Sequence, residues 1–322
     1  MTALPAFEDL GDGIYCIDAY LGRPRMAACY LVTSGDSAAF IDNGTANTVP
    51  SLLALLDHLG LAREQVRYVI PTHVHLDHAG GTGPLMNACP EATLVVHPKG
   101  APHMIDPSRL TAGATAVYGE EVFRREFGVL EPVAEQRCIA ADDGEVFDLD
   151  GRPLAFLDTP GHANHHGCIW DERTRGFFTG DTFGIAYPEF RTGAGPWMFA
   201  PTTPVAFDPE SWHRSLDRLV SYGPASAYLT HFGRVAVTAD LVARLRESID
   251  ALAATAQAAA GLRESRLAHL KAAVGEQLVA EARSHGVTLE EARMRELLAV
   301  DIELNAQGLE VWLVRQEKRR AE

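Results

Sequence analysis

Four short apolar runs in this chain end the same way. VRYVI at 66–70 leads into PTHVHLDH, and AFLD leads into TPGH at 159–162. FF leads into TGD at 179–181, and AYL leads into THFG at 230–233. Each run is short enough for a strand, and each is followed at once by histidine or aspartate. Residues 73–78 alone hold three histidines and an aspartate. A single cluster of this kind fits any polar loop. Four strand ends with the same chemistry require a fold that brings strand ends together, and in layered α/β architectures loops converge there to form sites.

The remaining patterning agrees with layers. IYCIDAY (14–20), AACYLVTS (27–34) and SAAFIDNG (37–44) read as strands, with a hairpin at Gly35-Asp36. SLLALLDHLGL (51–61) has helical spacing, as does GTGPLMNAC (81–89). TLVVH (93–97) reads as a strand and 101–129 as mostly helical. PLAFLDT (153–159), CIWDE (168–172), GFFTG (176–180) and AYLTH (227–231) return to strands. The segment 187–207, rich in proline, glycine and aromatics, is too irregular for one element. Strands interleaved with helices define the class as α/β.

From about residue 238 the composition turns to Ala, Arg, Glu and Leu, with apolar positions at helix spacing. Thr288 and Glu291 read as a capping box. The expected division is residues 1–236 as a catalytic domain and 237–322 as a helical extension. The extension carries an apolar stripe of Leu298, Ile302, Leu309, Trp312 and Leu313. It would pack on the domain or on a second copy, so a homodimer through these helices is one expectation.

Composition narrows the partners. The 322 residues are 47% hydrophobic, ample for a large core, and carry a net charge of −15. That charge disfavours a nucleic-acid partner. No apolar run approaches the ~20 residues of a membrane span, and the N-terminus has no leader-like charge and apolar pattern. A cytoplasmic protein without a membrane partner is expected. Its five scattered cysteines then read as buried thiols.

With HxHxDH at 73–78, TPGH, TGD and THFG in that order, the sequence resembles the metallo-β-lactamase superfamily over roughly residues 10–235. Asp42, in AFIDNG, is similar to the family's first motif. The resemblance implies a four-layer αβ/βα sandwich and a binuclear metal site. Carried over residue by residue, His73, His75 and His162 would hold one divalent ion. Asp77, His78 and His231 would hold the other, with Asp181 shared between them. Zinc suits this donor set best, and iron or manganese are compatible. Asp42 and His166 would brace ligands without touching metal.

The resemblance further implies hydrolysis of an ester, thioester or lactone-type acyl bond in a small molecule by a metal-bridging hydroxide. Asp77 would assist proton movement. Tyr187 would reach the substrate carbonyl, as a tyrosine does in lactonases of the superfamily. Phe183, Phe190, Trp197 and Phe199 would wall an apolar substrate pocket or fill core beneath the loop. Two alternatives differ in the residues between and around the ligands. A flavodiiron-like, oxygen-binding or redox-sensing role is disfavoured by Leu76, where that branch carries glutamate. A glyoxalase II-like thioesterase is disfavoured by Val74, where that branch carries histidine.

Overall fold

The structure, a computed structural model, describes residues 4–203 and 205–321. The chain forms two compact units. The first holds the chain through Asp158 together with His165–Gly180 and Gly223–Ala236. The second holds Thr159–Asn164, Asp181–Tyr222 and the chain from Val237 onward. The second unit thus takes in the helical extension and also two stretches that precede the compositional shift.

Two mixed sheets build the first unit. One is β1 (Phe7–Asp9), β2 (Ile14–Asp18), β3 (Ala28–Ser34), β4 (Ser37–Ile41), β5 (Val66–Ile70), β6 (Thr93–Val96) and β7 (Cys138–Ala140), adjacent in chain order. Its first four strands are antiparallel, and β4 to β7 run parallel. The other is β8 (Val146–Asp148), β9 (Pro153–Asp158), β10 (Gly167–Asp171), β11 (Gly176–Gly180), β12 (Ser226–Leu229) and β13 (Gly233–Ala236). Only β11 and β12 pair in parallel there. The Gly35-Asp36 hairpin is present, with Ser34 opposite Ser37.

The near-continuous apolar character of β3 and β4 follows from burial on both faces. Tyr30, Val32, Ala39 and Ile41 face a core shared with Phe156, Ile169 and Phe178 of the second sheet. Cys29, Leu31, Ala38 and Phe40 face the other way, against α1 (Val49–Leu59). Leu52, Leu55 and Leu56 of α1 are fully buried there, each contributing roughly 1.5–3 kcal/mol of hydrophobic stabilisation. Gly60 ends α1 in the left-handed region at φ 71°. Short helices α2 (Leu76–Ala79) and α3 (Thr82–Ala88) follow β5, and α4 (Ala101–Ile105), α5 (Ser108–Tyr118) and α6 (Glu120–Phe127) follow β6.

The second unit consists of α7 (Pro209–Ser221), α8 (Ala239–Ala258), α9 (Arg266–Ser284), α10 (Glu291–Leu297), α11 (Ala299–Ala321) and the irregular segment after Asp181. Asp208 caps α7 by accepting from Ser211 N, and Thr238 caps α8 by accepting from Leu241 N. The Thr288–Glu291 capping box does not form. Helix α10 begins at Glu291 with Glu290 as its cap residue and no side-chain cap bond. The Glu291 carboxylate accepts instead from Arg295 Nε at 2.9 Å, one turn along the helix.

The apolar stripe of the extension is largely covered within this unit. Leu298, Leu309, Trp312 and Leu313 are buried, and the Trp312 ring meets Phe207 edge-on at 5.4 Å. Among the described residues, no helix is long and apolar enough to cross a membrane.

Candidate metal centre

In the first unit, the ends of β4, β5 and β12 deliver Asp42, Thr72–His73 and Thr230–His231. Asp42 directly follows β4 with a left-handed backbone, φ 50°. That conformation costs an L-residue about 1–2 kcal/mol. It is offset by four donors on one carboxylate. Thr72 N and Thr72 Oγ1 approach Oδ1 at 2.7 and 2.9 Å, while Thr230 Oγ1 and His78 Nδ1 approach Oδ2 at 2.6 and 2.8 Å. Hydrogen bonds to a charged group contribute ~1.5–3 kcal/mol each, so the bonds outweigh the backbone term. Asp42 is 1% exposed, and it joins the loops after three strands.

These bonds fix imidazole tautomers. A carboxylate only accepts, so His78 carries its proton on Nδ1 and keeps Nε2 as the basic nitrogen. His231 donates from Nδ1 to the Met26 carbonyl at 2.7 Å, with the same result. Both Nε2 atoms face one carboxylate oxygen, Asp77 Oδ2, at 3.5 Å from His78 and 3.3 Å from His231. The ligand atoms of Asp77, His78 and His231 all lie within 4.8 Å of one another. Two basic ring nitrogens and a carboxylate around one point fit a divalent cation of the zinc, iron or manganese type.

His73 follows the same logic. The Thr72 hydroxyl already donates to Asp42, so it accepts from His73 Nδ1 at 3.2 Å. His73 Nε2 then points at His75 Nδ1, 2.9 Å away. His166, fully buried, stacks on the His73 ring at 4.8 Å. His165 lies parallel to it at 6.1 Å and accepts from Val74 N at 3.4 Å. Gly180, the last residue of β11, has φ 46°, and a Cβ there would sit 2.4 Å from Thr72 Oγ1 and 2.7 Å from His166 Nε2. The glycine of TGD is thus required by close approach.

In the second unit, His162 donates from Nδ1 to the Pro201 carbonyl at 2.8 Å, and its ring packs edge-on against the buried Trp212. Its Nε2 lies 3.3 Å from Asp181 Oδ2. Tyr187 is buried with its hydroxyl donating to Asp301 Oδ1 at 3.1 Å. Phe183, Phe190, Trp197 and Phe199 are buried as well. Trp197 stacks on Phe199 at 5.0 Å and tilts against Phe190 at 5.1 Å. Tyr187 meets Phe199 edge-on at 6.2 Å. In this unit the aromatics fill space against one another.

None of the five cysteines forms a disulfide. Burial pushes the Cys16 thiol up to about 12. Burial, followed by the negative charge of Asp42, pushes Cys29 well up too. Both are packing thiols rather than nucleophiles or ligands. Two positioning residues, Thr72 and Thr230, escape a search for metal donors. The signal for them is the repeated Thr-His pair in PTHVH and LTHFG, since each threonine hydroxyl reaches Asp42.

Comparisons with known proteins agree with this arrangement. The family model of the metallo-beta-lactamase superfamily matches residues 22–231. The metallo-beta-lactamase fold-containing protein ST1585 of Sulfurisphaera tokodaii is 27% identical over 216 residues, 66% of this chain and 75% of that one. Its crystal structure superposes with a TM-score of 0.64 at 23% identity, covering 92% of this chain and 98% of the other. That likeness shows the fold: an α/β sandwich of two mixed sheets with flanking helices and C-terminal helices. The acyl-coenzyme A thioesterase MBLAC2 of Bos taurus is 28% identical over 206 residues, 56% of this chain and 68% of the relative. The atrochrysone carboxyl ACP thioesterase of Aspergillus fumigatus is 27% identical over 224 residues, and the chain spans 54% of its length.

Proposed function

The chain belongs to the metallo-β-lactamase superfamily, and on that premise we propose that it is a binuclear metallohydrolase that cleaves an acyl thioester. One ion would be held by Asp77, His78 and His231, the other by His73, His75 and His162, with Asp181 shared. The observation that carries the reading is the commitment of His78 Nδ1 and His231 Nδ1 to Asp42 and the Met26 carbonyl. It turns both Nε2 atoms toward the Asp77 carboxylate. The His73–His75 and His162–Asp181 pairs support the second position by the same donor chemistry.

Ions held there would supply Lewis acidity, lowering the pKa of water and polarising an acyl oxygen. The residues do the rest. Asp42 holds His78 directly, and His73 by way of Thr72, in the tautomer that presents a basic Nε2, and the Met26 carbonyl does the same for His231. Asp77, half-buried at the solvent edge of the trio, takes up the proton lost by the attacking water at its carboxylate. A thiolate departs with a pKa near ~8.5, so little acid assistance is required. This low demand, with two thioesterases among the relatives, favours a thioester over an alkyl ester or lactone.

The test is a panel of acyl-CoA thioesters, alkyl esters, lactones and β-lactams, assayed with and without a chelator. Metal is counted by elemental analysis in protein purified without additions. Thioester turnover that chelation abolishes and zinc restores is expected. A diferric chromophore with no turnover on any substrate would overturn the proposal.

A further inference from the structure

We infer that Asn305, on the last helix of the chain, is a positioning residue for the metal ligand His162. The inference rests on the binuclear reading above and adds a role for the helical extension within it.

The chain of contacts lies wholly within the second unit. His162 Nδ1 donates to the Pro201 carbonyl, which sets its tautomer. Pro201 lacks a backbone N–H and has no hydrogen-bonding side chain, so its carbonyl is aimed by its neighbours. Asn305 holds both of them. Its Oδ1 accepts from Thr202 N at 2.6 Å, and its Nδ2 reaches the Ala200 carbonyl at 3.5 Å. The Thr202 hydroxyl returns a bond to the Asn305 carbonyl at 3.1 Å. Ser248 of α8 fixes Ala200 N from its other side at 3.1 Å. Asn305, Thr202 and Ala200 are each no more than 1% exposed, so water cannot substitute for a lost partner.

Helix α11 is shaped for this contact. Gly308, one turn beyond Asn305, lies so close to the 202–203 backbone that a Cβ on it would fall 1.5 Å from the Thr202 carbonyl oxygen. Asp301, one turn before Asn305, accepts from Tyr187. Residues 301, 305 and 308 share one helix face, and that face holds the segment after Asp181. Ile185 and Phe199 close the segment as an antiparallel bridge, with N···O distances of 2.9 and 3.2 Å. The loop that aims His162 is therefore held from α11 and α8.

The test compares Asn305→Ala with Leu298→Ala in zinc titrations against a chromophoric chelator. Both variants are first checked for folding by circular dichroism. Leu298 is fully buried beside the same helix, so its truncation destabilises without cutting the contacts to residues 200–202. The expected result is a loss of ~10- to 100-fold in affinity at one of two sites in Asn305→Ala, with both sites near wild type in Leu298→Ala. Thr202→Val, which removes only the hydroxyl, is the milder second variant and should weaken the same site several-fold. Two wild-type affinities in folded Asn305→Ala would overturn the inference. Should Asn305→Ala fail to fold, unchanged affinities in Thr202→Val would overturn it. Wild-type protein that takes up no second ion would instead overturn the binuclear reading, and the inference with it.

Discussion

His78 Nδ1 and Asp42 Oδ2 lie 2.8 Å apart, both side chains buried to within 1%. The aspartate comes from the end of β4 and the histidine from α2, thirty-six residues later. This bond sets which nitrogen His78 offers to a cation, and the same carboxylate also ties down Thr72 and Thr230.

Replacing Asp42 with alanine leaves four buried donors without their acceptor. The loss should be about 3–5 kcal/mol in urea unfolding, with metal affinity at the His78 position falling ~10- to 100-fold. An Asp42→Ala protein with wild-type stability and two bound ions would contradict the role given to this residue.

Asp181→Asn should reduce bound metal from two ions per chain to one or none. Hydrolysis should drop by ~100-fold or more, equivalent to roughly 3 kcal/mol of barrier. Elemental analysis and steady-state rates are the measurements, and full occupancy with full turnover would exclude Asp181 as a shared ligand.

Gly180→Ala forces a Cβ against Thr72 and His166 at a backbone angle that disfavours any side chain. A stability loss of about 1–3 kcal/mol is expected. Weaker metal retention should accompany it, because the intruding atom pushes on the threonine that holds His73. Thermal unfolding of apo and zinc-loaded protein reads both effects separately.

Glu281 on α9 has its carboxyl raised above the ordinary 4.5, chiefly by burial. A hydrogen bond from Gln277 opposes the shift, and the charge of Glu247 adds to it. The native state therefore binds this proton more tightly than the unfolded state. Its contribution is full below pH 4.5 and is lost as pH rises through the raised native value. Glu281→Gln should flatten that decline, so the variant gains stability over wild type toward neutral pH. Urea midpoints at pH 4, 5.5 and 7 would show it, and parallel pH curves for the two proteins would refute it.

Much of this architecture was legible because burial on both faces writes short, nearly continuous apolar runs into β3, β4 and β11. The candidate ligands stood out because imidazole and carboxylate chemistry admits few substitutes. Short edge strands such as β1, β7 and β8 left too little pattern to read, and in α7 the buried Ser215 interrupts the apolar face of Trp212, Leu216 and Leu219. The threonines beneath the histidines were missed because a hydroxyl carries no metal signature of its own. Asn305 lies more than a hundred residues from His162, in a helix whose periodicity speaks only of packing. The Thr288 cap failed because a capping box competes with every other bond its glutamate can make, and Arg295 wins that competition.

The knot of Asp42, Thr72 and Thr230 draws only on side chains hidden from solvent. Positions such as Leu76, caught between His75 and Asp77 yet half-exposed, take no share in it. Variation can accumulate at those outward positions without loosening the grip beneath. Substitutions there would change what approaches the site while the buried bonds that orient His78 stay as they are.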